Sequence, residues 1–123
     1  MGQGENFENG KEFDLRKEEE NLIKEAKTRK SIRVVNKNLK EIDSEIFTIL
    51  RENNIKEITS ICVSNSKLSK IPKFIFKEIV IKNLECLDFT SNFIQFLPKE
   101  ISNLQKIETI YLSGNRLSQL PSR

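Results

Sequence analysis

Residues 84–98 read Leu84-x-x-Leu87-x-Phe89-x-x-Asn92-x-Ile94-x-x-Leu97-Pro98, and residues 107–121 read Ile107-x-x-Ile110-x-Leu112-x-x-Asn115-x-Leu117-x-x-Leu120-Pro121. The two stretches lie 23 residues apart, and Ile101 and Leu104 close the first before the second begins. A third copy precedes them at a spacing of 26: Ile58-x-x-Ile61-x-Val63, then Leu68 and Ile71-Pro72, with an insertion near Glu78–Val80. A partial fourth is Ile32-x-Val34 with Leu39 and Ile42, carrying Asp43 where the others have proline. Ile46, Phe47, Ile49 and Leu50 then form a longer connecting helix. Self-similarity at 20–50 residues is the signature of a solenoid, because one such unit cannot bury its own apolar face and a stack of them can.

This spacing resembles the short intracellular leucine-rich repeats of the Ras-suppressor kind, over roughly residues 31–123. The Met-Gly start, short helical leader and early first repeat are similar in layout to a short member of that family. The resemblance implies an α/β solenoid, its parallel strands on the concave face, that recognises another protein and does no chemistry. Two positions depart from the pattern. Ser66 stands where the repeat asparagine belongs, with Asn65 one place early, and Lys37 fills that site in the first unit. An asparagine ladder is therefore expected only in the last two copies.

Within each unit the alternation of a strand sends Ile32, Val34, Ile61, Val63, Leu87, Phe89, Ile110 and Leu112 inward. Leu68, Ile71, Ile94, Leu97, Leu117 and Leu120 close the same core from the turn side. Asn92 and Asn115 read as structural: the chain turns after the strand, and a short side-chain amide satisfies the backbone groups left over. The outward positions form columns across the sheet. One column is Arg33, Cys62, Asp88 and Tyr111; others hold Ser60, Cys86 and Thr109, and Thr59, Glu85 and Glu108. Tyr111 and Arg33 are the leading contacts, because binding hot spots favour such side chains. Glu85, Asp88 and Glu108 form an acidic trio beside them. A merely solvated face is the plain alternative.

Working outward, the 123 residues include 40 Leu, Ile, Val and Phe, enough for a core. There is no histidine, which excludes histidine-based triads, acid–base pairs and imidazole zinc sites. Two cysteines are too few for a disulfide framework and point to a reducing compartment. No apolar run approaches the ~20 residues of a membrane span. Residues 2–30 are polar where a signal peptide needs an apolar stretch. The net charge of +3 is spread along the chain. Residues 1–30 form a charged leader: a disordered start over Met1–Glu12, then a capping helix over Leu15–Arg29 whose Leu15, Leu22, Ile23 and Ala26 share one face. Asp14 is its cap, and Glu18, Glu19 and Glu20 lie near the positive end of its dipole.

Other features carry less. Cys62 and Cys86 sit diagonally on adjacent strands at roughly 8 Å between Cα atoms, too far to bridge, so both are expected as free thiols. Gly2 is a candidate for N-myristoylation, although Asn6 replaces the preferred Ser or Thr and no polybasic stretch follows. Lys27-Thr28-Arg29-Lys30 with Arg33 is the densest basic cluster, better suited to a helix C-terminus than to nucleic acid. Gly2 and Gly4 make no phosphate loop, and Glu85 with Asp88 lies on an open sheet without the enclosing pocket that acid–base catalysis needs.

The sequence therefore predicts a charged leader over residues 1–30 and a leucine-rich repeat domain of three to four units over 31–123, with no visible C-terminal cap. The function expected is protein–protein recognition, as a scaffold in cytoplasmic signalling. Arg33, Cys62, Glu85, Asp88, Glu108 and Tyr111 are its contacts, with no cofactor, metal or nucleic acid. The rival is an adaptor brought to a membrane by acylated Gly2; an enzyme ranks third. The end of the last repeat, around Leu112, Leu117 and Leu120, is expected to meet a continuation of the chain or a partner.

Overall fold

The computed structural model describes residues 12–118. Helix α1 (Leu15–Arg29) leads into strand β1 (Ser31–Val35), followed by helix α2 (Glu45–Glu52), β2 (Ser60–Ser64), β3 (Cys86–Asp88) and β4 (Thr109–Tyr111). The strands make one parallel sheet in chain order. Their register pairs Ile32 with Ile61, Ile61 with Leu87, and Leu87 with Ile110. Successive crossovers thus shorten from 29 to 26 to 23 residues. The longest contains α2. The shorter two return through 3-10 turns at Lys73–Lys77 and Ile79–Ile81, and at Lys99–Asn103.

The inward-facing residues form one core. Ile32, Val34, Ile61, Val63, Leu87 and Phe89 are buried, with Leu68, Ile71 and Ile94 closing it from the turns. Leu97, Leu112 and Leu117 are partly buried against it, and Leu120 lies outside the described residues. Ile110 departs from expectation: it is 39% exposed. It points inward in register, but among the described residues β4 pairs only with β3, so one flank of Ile110 has no described strand beside it.

Helix α1 begins where Asp14 Oδ1 accepts from the Arg16 amide at 3.0 Å. It ends at Lys30, whose left-handed φ of 53° lets its amide reach Ala26 O at 3.0 Å. Only Glu18 of the three glutamates lies in the first turn, and it pairs with Lys37 at 3.3 Å. Leu22 and Ala26 are buried against β1 and α2. In α2 the buried face is Ile46, Phe47, Ile49 and Leu50. Of the start expected to be disordered, Met1–Lys11 lies outside the described residues. Glu12 is held instead: it bridges Asn38, and the next amide, of Phe13, donates to Asn38 O at 2.7 Å.

The chain turns the same corner in every unit. Asn36, Asn65, Ser91 and Gly114 occupy register-equivalent positions just after the strands, and all have positive φ, of 60°, 49°, 60° and 75°. In the last three units the residue after each, Ser66, Asn92 or Asn115, faces the core and gathers the backbone groups the corner leaves unpaired. Asn92, buried, accepts from the Ser66 and Leu68 amides at 3.0 Å each and donates to Val63 O at 2.7 Å and Phe89 O at 2.9 Å. Asn115 accepts from the Ile94 amide at 3.0 Å and donates to Phe89 O and Leu112 O at 2.8 and 2.9 Å. The asparagines supply the rungs of the last two copies, as expected, but the ladder runs on past them through a serine. The Ser66 hydroxyl takes the next rung, 2.9 Å from Ser64 O, 3.3 Å from Val34 O and 3.3 Å from the Lys37 amide. A hydroxyl both donates and accepts, so it does part of the amide's work.

Candidate partner-binding face

The register places the outward residues in the columns that the repeat spacing implies. Arg33 lies opposite Cys62, Cys62 opposite Asp88, and Asp88 opposite Tyr111. Beside them run Ser31, Ser60, Cys86 and Thr109. With strands ~4.8 Å apart, Arg33 and Tyr111 stand about 14 Å apart across the sheet. Arg33, Glu85 and Glu108 are exposed, as is Tyr111 at 53%; Cys62 and Asp88 are half-buried.

Electrostatically the face is graded. Its cation, Arg33, lies on β1, while Asp88 on β3 is flanked by Glu85 and Glu108 on the segments entering β3 and β4. Asp88 is also partly engaged, since its Oδ1 accepts from the Thr90 amide at 3.0 Å and the Thr90 hydroxyl at 2.6 Å. That turn fixes the carboxylate in place. Both cysteines are free thiols. Burial pushes the Cys62 thiol up, with Asp88 adding to the rise while Ser64 and Arg33 oppose it. Cys86 is raised by burial and by Asp88. Neither is an activated nucleophile. Among the described residues no group of His, Cys, Asp or Glu side chains is placed to hold a metal ion, and no helix is long and apolar enough to cross a membrane. Gly2 lies outside the described residues.

Other surface features escape a reading by strand columns. Phe93 and Phe96 are exposed on the turn after β3. Their positions in the unit, between core-facing residues, were the available sign. Elsewhere, a depression of about 430 Å³ lies between α2 and the 3-10 turns, lined by Arg51, Ile55, Lys77 and Ile79 among others.

Known proteins share this repeat. Residues 56–117 match the family model for the leucine rich repeat. The chain is 36% identical over 84 residues to adenylate cyclase of Schizosaccharomyces pombe, covering 68% of this chain and 5% of that protein. It is 43% identical over 54 residues to leucine-rich repeat and IQ domain-containing protein 4 of Homo sapiens, 44% of this chain and 9% of the relative. It is 31% identical over 86 residues to the human volume-regulated anion channel subunit LRRC8A, 70% and 8% respectively. The chain thus spans less than a tenth of these relatives' lengths. Among solved structures, the leucine-rich repeat domain of the type III effector XopL superposes with a TM-score of 0.65 at 17% identity, covering 84% of this chain and 33% of that one; the likeness is one of fold. The repeated strand and corner, the polar ladder beneath them and a family match over half its length make this chain a member of the leucine-rich repeat family.

Proposed function

We propose that the chain is a protein–protein interaction module that holds its partner on the concave sheet face and serves as a scaffold in cytoplasmic signalling. The observation that carries this reading is the register from β1 to β4, which lines up Arg33, Cys62, Asp88 and Tyr111 as one outward column. A solenoid face of this kind suits an extended partner, because every strand adds a row of contacts. The grading from Arg33 to the acidic trio favours a partner that is acidic toward β1 and basic toward β3 and β4. The reading includes no chemistry.

Photocrosslinking tests it. A photoreactive residue placed at Ser60 should capture the partner, and the same residue at exposed Glu52 on α2 should not. Tyr111→Ala and Arg33→Ala should each weaken binding of the captured partner by at least about tenfold, the scale of interface hot spots. Unchanged affinity in both variants would sink the concave-face reading. The second reading, recruitment to membranes by acylated Gly2, rests on the Met1-Gly2 start. An intact mass without the acyl increment, from cells with an active transferase, removes it.

A further inference from the structure

Charge is divided along the repeat. From Asn53 to Ser118 the carboxylates are Glu57, Glu78, Glu85, Asp88, Glu100 and Glu108, all on strands or on the segments leading into them. The segments from the strand ends onward, residues 63–77, 89–99 and 109–118 apart from the strand residues they include, hold none. They carry Lys67, Lys70, Lys73, Lys77, Lys99 and Arg116 instead. The turns also stack. The Phe93 amide donates to Leu68 O at 2.8 Å, the Arg116 amide to Ile94 O at 2.9 Å and the Ser118 amide to Gln95 O at 3.1 Å. Phe93 thereby lies between the turn of Lys67 and that of Arg116, and Phe96 occupies the position equivalent to Lys70. Glu41 holds that position in the first unit and bounds the cationic edge.

Two large aromatics stand exposed in this edge, Phe93 at 40% and Phe96 at 53%. The Arg116 guanidinium carbon lies 4.4 Å above the centre of the Phe93 ring. Stacking holds the guanidinium plane and leaves its N–H edge to grip a carboxylate with two parallel bonds. Exposed Lys70 adds a second cation, and the open Phe96 ring supplies apolar surface between them.

We propose that this turn edge is a second binding surface, distinct from the concave face, for an acidic peptide segment of a partner protein in which carboxylates flank an apolar side chain. Carboxylates are held by Arg116 and Lys70, and the apolar side chain rests on Phe96. A nucleic acid or a lipid surface fits less well. Arg116 covers one face of Phe93, so Phe96 is the one open ring of the pair where a strand of bases would use successive platforms, and inserting Arg116 with Phe93 into lipid would bury the guanidinium.

The test is fluorescence anisotropy of the whole chain with a labelled Asp-Glu-Asp-Leu-Asp-Glu peptide. Its Asn/Gln counterpart, phosphatidylserine vesicles and an oligouridylate serve as competitors. Binding of the acidic peptide that weakens as salt rises, and by about tenfold in Arg116→Gln and in Phe96→Ser, supports the surface. Tyr111→Ala should leave this binding unchanged, which separates it from failure of the concave-face reading. All three side chains are exposed, so circular dichroism should match across the variants. No binding at millimolar peptide, equal binding of the Asn/Gln peptide, unchanged binding in Phe96→Ser, or displacement by vesicles or oligouridylate in preference to the peptide would each overturn the proposal.

Discussion

Replacing Asn92 with alanine tests the backbone bookkeeping of the ladder. The amide stands 2% exposed and satisfies four backbone groups: the N–H of Ser66 and Leu68, and the C=O of Val63 and Phe89. Asn92→Ala removes the amide without moving the corner that needs it. A buried polar group left unpaired costs about 1–3 kcal/mol; Phe89 O keeps its bond from Asn115, so the other three set an upper range of about 3–9 kcal/mol. The vacated site is polar and close to the size of a water molecule, and one water re-satisfies about two of the groups. The expected loss is then about 2–3 kcal/mol, a large share of the ~5–15 kcal/mol that holds a domain folded. With a urea slope of about 1.5 kcal/mol per M, the midpoint should fall by about 1.5–2 M. Ser66→Ala, which removes one hydroxyl, should cost about 1 kcal/mol. Asn115→Ala should fall between, at about 1–2 kcal/mol, because Asn115 is only half-buried and solvent is nearer. Urea titrations followed by far-ultraviolet circular dichroism measure all three. A loss below about 1 kcal/mol for Asn92→Ala, or equal losses for Asn92→Ala and Ser66→Ala, would refute the assignment of these bonds as the ladder's main support.

The remaining predictions concern the corner, a surface carboxylate and the thiols. Gly114→Ala places a Cβ 3.0 Å from Ser91 Oγ and 3.2 Å from Ser91 Cα at a φ of 75°, and should cost about 1–2 kcal/mol in thermal unfolding. An unchanged melting temperature would show that the corner relaxes. Hydrogen bonds from Asn83 at 2.9 Å and Lys30 at 3.1 Å, with the Lys30 charge, hold Glu57 below its ordinary value of 4.5. A depressed carboxylate stabilises the fold above its unfolded pKa, and that contribution is lost as pH falls through the lowered folded value. The melting-temperature gap between the native chain and Glu57→Gln should therefore be constant at neutral pH and close below pH 4.5. Because burial raises both thiols from 9.0, iodoacetamide should alkylate Cys62 and Cys86 more slowly at pH 8 than it alkylates a free cysteine; faster reaction would contradict their placement.

The sheet was legible because its side chains repeat with a simple rule. One inward residue at Leu87 fixes Ile61 and Ile110 by spacing, and the outward column follows at the next position. The corner was less legible, because its requirement is conformational. Asn65 looked like a ladder asparagine displaced by one, yet it is the left-handed step, and Ser66 is the rung. Spacing cannot tell a hydroxyl from an amide at such a site, since either can satisfy a carbonyl. The 3-10 returns were equally hidden: Lys73–Lys77 and Lys99–Asn103 are too short to show a helical period. Ile110 and the two exposed phenylalanines mark the limit of arguing from apolarity, because exposure depends on which neighbour arrives to cover a residue.

The middle of the described sheet and its β1 edge close the same corner by different means. At β2 and β3 the rungs Ser66 and Asn92 join neighbouring turns from inside, so each unit depends on the next for its backbone bonds. At β1 the equivalent residue is Lys37, whose ammonium has no lone pair to accept an amide proton. It turns outward to Glu18 of α1, and the apolar side of that helix, Leu22 and Ala26, is buried against β1 and α2. Where the ladder residue changes from amide to cation, the solenoid thus passes from polar joining of like units to apolar docking of an unlike helix. The leader helix and the departure at Lys37 are consequently one structural feature: the cation helps to seat the helix that replaces the missing neighbour on that side of the sheet.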